Sequence, residues 1–423
     1  MKRIAGCTVL ALFCTLITAP SLLHPPGPGF PVRYAHADTA AEPSLIQQDV
    51  EAACDLVESH YAYYETRAVI WPAACDMARA EAKAVRDEAQ PDHLAILERL
   101  LDQLYDDHVS LGSNTASSPR LVPSGSDYHL TFVSGVAVVT AVRRGSGAAR
   151  AGLAVGDIVT ALNGEPVLVA ATRRIRAAPN LVSRTRLDWA VNAQAAGYRD
   201  TRRHLTIRRG QERIALALDA PAPPKAPSPV TAHRMDDNLG YIRFEDSLGE
   251  AETVKAFDAA LERLRGVDGW IIDLRNTPGG GNTDVAEPVL ARFIRGVKAY
   301  QRIGPRWEGE KVRRVASRGP WRIRKPVAVL AGRWTGSMGE GMAVGFDGLK
   351  RARVFGAPMA GLAGGVEGYD LPSGLTLRLP AYNLLHLDGT DRDDWRPPYA
   401  VLADNGDGPD LALEAAKDWL ERR

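Results

Sequence analysis

Two short apolar runs, Trp270 to Leu274 and Val327 to Ala331, constrain this chain most. Neither alternates regularly with polar residues, so each is expected to be a strand buried on both faces. Each empties into a glycine-bearing turn and then a helical pattern, near Asp284 to Ile294 and near Ser337 to Leu349. A further strand, Gly240 to Phe244, and a helix near Glu250 to Leu264 precede them. Strands and helices in alternation predict a largely parallel sheet covered by helices.

That sheet occupies only the C-terminal part, 231–423. Residues 38–115 have a helical pattern in which Leu94, Leu97, Leu101, Leu104 and His108 recur at three- and four-residue steps, and Pro72 and Pro91 each suit a first helical turn. A small helical bundle is expected there. Residues 120–220 change to short β-runs, among them Val136 to Val142, Ile158 to Leu162 and Leu205 to Ile207, with Asn163-Gly164 as a hairpin turn. Five prolines between 221 and 230 make a stiff linker. The expected class is therefore multidomain α/β, and 423 residues with 45% hydrophobic and 24% charged side chains suffice for two or three cores. A net charge of +1 argues against nucleic acid as the main partner.

Lys2 and Arg3 precede an apolar run from Ile4 to Ala19, and Ala35-His36-Ala37 offers a small-x-small cleavage site. Residues 1–37 are thus expected to be a signal peptide, which makes the protein exported, periplasmic or secreted, with no stable membrane span. Cys54 and Cys75 then remain, each on an apolar helical stripe. A disulfide between neighbouring helices and two buried thiols both fit. No Cys or His pair has ligand spacing, so neither a metal nor another cofactor is expected.

Chemistry concentrates at the strand ends. Ser337, with Glu340 three residues on, forms a capping box at a helix start, and the same position aims a hydroxyl into the crevice beyond the strand. The loop Asn276-Thr277-Pro278-Gly279-Gly280-Gly281 lacks the Lys-Ser/Thr ending of a phosphate loop. Its better use is as half of an oxyanion hole, Gly279 and Gly280 with Met338 supplying N–H donors.

The run "GSGAARAGLAVGDIVTALNGEPV", Gly145 to Val167, resembles a PDZ domain, which implies binding of an extended or C-terminal peptide at a sheet edge. With "DLRNTPGGG" at Asp273 to Gly281, Ser337-Met338-Gly339-Glu340 and "RARVFGAP" at Arg351 to Pro358, the chain resembles the C-terminal processing peptidases, or tail-specific proteases. The resemblance implies a crotonase-like catalytic domain, a Ser337 nucleophile and protein or peptide substrates. That family commonly activates its serine with a lysine, yet no Lys lies between Lys350 and Lys417. The run Leu104-Tyr105-Asp106-Asp107-His108 instead resembles the tricorn core protease branch, whose base is a histidine oriented by a distant acid. His108 is accordingly the expected general base, with His386, placed on a strand, as the fallback. Asp393 is the first choice for the orienting acid, then Asp394 and Asp391, with Asp107 as a local alternative. A peptide-binding homologue without catalysis and an esterase or amidase fit the same residues. The sequence sets no oligomeric state.

Overall fold

The computed structural model describes residues 42–85, 90–175, 183–304 and 311–423, so the expected signal peptide with its site at Ala37 lies outside the described residues. The central six-stranded sheet runs in the order Tyr399–Ala400, Arg353–Gly356, Val327–Ala331, Gly269–Asp273, Leu239–Phe244, Val230–Arg234. All neighbours are parallel except the last pair. Gly269–Asp273 and Val327–Ala331 are buried at every position, as strands covered on both faces must be. Alternate side chains part to opposite faces. Ile242, Ile272 and Val329 meet the helices Ala251–Arg263, Thr283–Leu290 and Met338–Gly348, whereas Tyr241, Ile271 and Leu330 meet the C-terminal helix Leu411–Glu421.

The PDZ-like sheet has the order Tyr128–Val133, Val136–Val142, Ile158–Leu162, Arg203–Arg209, Glu212–Leu218, antiparallel throughout. Asn163 and Gly164 both have positive φ (49° and 84°), the backbone that a two-residue hairpin turn demands. Two helices, Val167–Ile175 and Arg184–Ala196, lie in the chain between the strands Ile158–Leu162 and Arg203–Arg209. The second lies along the outer edge of Tyr128–Val133 and occupies its free backbone groups. Leu130 N–H donates to Asn192 Oδ1 (2.9 Å), Phe132 N–H to Asp188 Oδ1 (2.7 Å), and Asn192 Nδ2 to Leu130 O (2.8 Å).

The N-terminal helices Leu45–His60, Trp71–Ala84 and Gln90–Leu101 pack on one another as the expected bundle, and its core extends into the C-terminal part. Their apolar stripes, with Val50, Val57, Trp71, Leu97 and Leu104, share one core with Leu371, Leu375, Leu377 and Leu379 of the C-terminal part. Ser110–Leu111 then adds to a hairpin formed by Gly365–Asp370 and Thr376–Tyr382, with Ser110 opposite Arg378 and Leu111 opposite Leu377. Residues Pro43–Arg423 accordingly make a single unit. The helical stripe also stops short of His108. Helix and 3-10 turn end at Leu104, Tyr105 turns left-handed (φ 51°), and His108 sits in the loop that follows. No described helix is long and apolar enough to cross a membrane.

Cys54 and Cys75 are joined by a disulfide that ties Leu45–His60 to Trp71–Ala84. Closing a loop of 21 residues stabilises the folded chain by about 3 kcal/mol. Reductant is therefore expected to lower the guanidinium midpoint of the wild-type protein and to leave a Cys54→Ser/Cys75→Ser variant unmoved. A wild-type midpoint indifferent to reductant would contradict the bond.

Candidate active site

Ser337 is the N-cap of Met338–Gly348, six residues beyond the last strand position, Ala331, with Gly332 starting the turn between them. Hydrogen bonds stitch that turn to the glycine loop. Thr277 N–H donates to Trp334 O (3.1 Å), Gly336 N–H to Thr277 O (3.2 Å), and Thr335 Oγ1 to Leu274 O (3.0 Å). Ser337 is held at φ 49°, ψ −106°, a region that costs a non-glycine residue on the order of 1–3 kcal/mol and persists only where the surroundings enforce it. Glu340 is part of the enforcement. It is buried, and its carboxylate accepts from Ser337 N–H (2.8 Å), Gly361 N–H (2.9 Å) and Leu362 N–H (3.1 Å). Burial pushes its carboxyl pKa up, against the opposing pull of Arg392 and the three N–H groups.

The loop bearing His108 enters from the other side. His108 Nε2 lies 3.0 Å from Ser337 Oγ, and Nδ1 lies 2.6 Å from Ala363 O. A carbonyl only accepts, so Nδ1 carries the hydrogen and the neutral ring turns the Nε2 lone pair to the serine hydroxyl. Burial, with the nearby Arg392 charge, lowers the His108 pKa to about 4. The ring is neutral at pH 7.

The carboxylates expected to orient this histidine are placed otherwise. Asp393 accepts from Arg67 Nη2, its other oxygen is buried without a hydrogen-bond partner among the described residues, and burial pushes it up to about 7. Asp394 is exposed, and Asp391 caps its own turn by accepting from Asp393 N–H (3.1 Å). Asp107, also pushed up to about 7 by burial, faces a cavity. His386 follows the strand Leu384–Leu385 instead of lying on it, and stands between Asp347 and Asp388, away from Ser337.

Four residues took on roles that the sequence reading had not given them. Asp106 accepts from His108 N–H (2.9 Å), Tyr61 O–H (2.6 Å) and Arg67 Nη1 (3.0 Å), so it fixes the loop rather than the ring. Arg392 donates to Leu362 O and to Gly364 O (2.9 Å), bracing the segment that offers Ala363 O. Asp106 was visible within the Leu104–His108 run. Arg67, Ala363 and Arg392 carry no local signal.

The donors for a developing oxyanion are narrower than expected. Gly279 N–H is taken by Asp246 O at 2.9 Å, and Gly280 N–H makes a longer turn bond to Thr277 O at 3.2 Å. Met338 N–H has no acceptor among the described residues. Gly280 (φ 67°) touches the serine so closely that a Cβ there would stand 2.7 Å from Ser337 Cβ. The set can do acyl transfer: a hydroxyl with a neutral imidazole in hydrogen-bond reach, beside a free helix N-terminal N–H.

Residues 238–396 match the model of peptidase family S41, and residues 138–178 match that of the PDZ domain. Solved structures share the fold at low identity. The photosystem II D1 C-terminal processing protease is 17% identical with a TM-score of 0.54, covering 85% of this chain and 93% of that one. Mature CPAF complexed with lactacystin is 13% identical at 0.57, covering 89% and 97%. A putative peptidase from Parabacteroides merdae is 16% identical at 0.54, covering 89% and 97%. No curated protein sequence matches the chain.

Two outcomes are expected. Labelling of Ser337 by a fluorophosphonate should be level from neutral pH to about 5 and fall as pH drops through about 4, where the imidazole takes up a proton; an inflection near 6.5 would place the ring in water. Glu340→Gln must turn its amide nitrogen to the Gly361 N–H in one orientation or to the Ser337 and Leu362 N–H groups in the other, so it should destabilise by about 1–3 kcal/mol and slow labelling. Wild-type denaturation and labelling rates would contradict this role for Glu340.

Proposed function

We propose that this chain, which carries a peptidase family S41 domain beside a PDZ domain and is a serine-type peptidase, hydrolyses peptide bonds of protein or peptide substrates through an acyl-enzyme on Ser337, with His108 as general base in place of a lysine. The observation that carries the reading is the 3.0 Å contact of His108 Nε2 with Ser337 Oγ, with Nδ1 held on Ala363 O. His108 takes the hydroxyl proton as Ser337 attacks the carbonyl carbon. Met338 N–H, with Gly280 N–H, receives the oxygen as it gains charge. The imidazolium returns its proton to the leaving amine, and a water activated by the same ring releases the acyl group. Asp106, Arg67 and Asp393 position the histidine loop, and Glu340 positions both the serine and the carbonyl that selects the tautomer.

Export also belongs to this reading. The N-terminal charge-and-apolar pattern with Ala35-His36-Ala37 supports it, as does a Cys54–Cys75 bond of a kind that persists in oxidising compartments. The PDZ domain supports a peptide ligand.

Ser337→Ala should abolish fluorophosphonate labelling and casein hydrolysis, and His108→Ala should lower both by about 10³–10⁴-fold while the fold persists. A folded wild-type protein that neither labels nor cleaves would favour a peptide-binding protein without catalysis. Rapid ester turnover with no peptide turnover would favour an esterase.

A further inference from the structure

We infer that the cavity of about 730 Å³ between the Arg184–Ala196 helix, the loop before His108 and the loop around Gly361 is a substrate subsite that takes a carboxylate, read by Arg333. The inference rests on the peptidase reading and names a substrate class for it.

The first ground is that the other route is occupied. Peptide addition to Tyr128–Val133 needs the outward groups of Leu130 and Phe132, and Asn192 and Asp188 already hold them. The second is position. Asp107 in the cavity wall is one Cα step, about 3.8 Å, from His108. Gly361, also in the wall, donates to the same Glu340 that holds Ser337 N–H. Arg333 belongs to the turn that ends at Ser337. A chain lying in this space would thus run past the hydroxyl.

The third ground is charge. Arg333 Nη1 donates to Met359 O at 2.8 Å, and no carboxylate stands within ion-pair distance of its guanidinium among the described residues. Burial lowers its pKa, with Asp107 and Glu340 pulling the other way from beyond ion-pair distance. The neighbouring charges are largely answered elsewhere. Arg67 is paired with Asp106 and Asp393, and Asp188 accepts from Phe132 N–H. Asp107, pushed up to about 7, carries only part of a charge at neutral pH. An arriving carboxylate therefore meets a guanidinium whose planar fork suits two parallel hydrogen bonds. Tyr105 and Trp189, in edge contact at 5.3 Å, offer the apolar wall beside it. The volume suits a few residues of an extended chain. The carboxylate can come from an Asp or Glu side chain or from the chain terminus.

The test uses internally quenched octapeptides in which each position in turn carries Asp or Asn, each made with a free and with an amidated C-terminus. Wild-type protein should prefer the acid member of one pair by about tenfold or more in kcat/KM, the worth of one charge-assisted hydrogen bond. Preference for Asp at one position identifies a side chain, and preference for the free acid identifies a chain end. Arg333→Gln should bring that ratio near one, and Arg333→Lys should keep part of it. A merely structural role for Arg333 would slow both members equally and leave the ratio intact, which would overturn the proposal, as would a wild-type protein with no preference. Anisotropy of the same peptides, dye-labelled, on Ser337→Ala protein separates the two readings. Arg333-dependent acid binding without any wild-type cleavage sustains the subsite and sinks the peptidase; cleavage indifferent to charge does the reverse.

Discussion

The apolar core shared by the N-terminal helices and the hairpin Gly365–Tyr382 is what allows one imidazole to meet one hydroxyl 229 positions away. Leu97 and Leu104 pack with Leu377 and Leu379, and Ser110–Leu111 extends the hairpin just two residues after His108. The loop in between has little freedom left. Asp106 takes its backbone N–H, Tyr105 turns it left-handed, and Arg67 pins Asp106 to Asp393. Each of these is a modest interaction, but together they over-determine where the ring can stand.

The ring itself is oriented by a backbone carbonyl. A carboxylate on Nδ1 would favour the protonated ring and raise its pKa. Ala363 O fixes the same tautomer with a partial charge only, while burial and Arg392 hold the pKa at about 4. For the proposed mechanism this means a base that is available throughout the neutral range and weak in return. Glu340 links the two halves of the site, because one carboxylate fixes both the serine backbone and the segment that presents Ala363. A shift of either half is thus transmitted to the other.

Local periodicity made strands of both the central and the PDZ-like sheet legible. Val327–Ala331, Val136–Val142 and Ile158–Leu162 fall where uninterrupted or alternating apolar runs place them, and Asn163-Gly164 makes the turn that its chemistry dictates. Ser337 and His108 were legible because motifs carried them. Long-range partners were not. Arg67 contacts Asp393 across 326 positions, and nothing near either residue announces the other. Gly279 illustrates the same limit at short range: a glycine loop looks like a row of donors until one sees that Asp246 O has taken one of them. The hairpin Gly365–Tyr382 escaped notice because its strands mix glycine, proline and charge, and the helices' claim on its leucines lies far away in sequence.

The proposed use of His108 as base has a structural consequence. The central sheet supplies Ser337, the glycine loop and Glu340, and the imidazole reaches them only because the helices dock on the hairpin. In that proposal proton abstraction depends on a long-range contact, the seam between residues 45–111 and 363–382. The disulfide between Leu45–His60 and Trp71–Ala84 stiffens one side of that seam, and Asp49, buried and bonded to Ser373 N–H at 2.9 Å, clasps it at the far end. Burial of leucines on both sides supplies the affinity, since apolar area returns roughly 25 cal/mol per Å² wherever its partner lies in sequence. The polar clasps set the register to which that undirected attraction is blind.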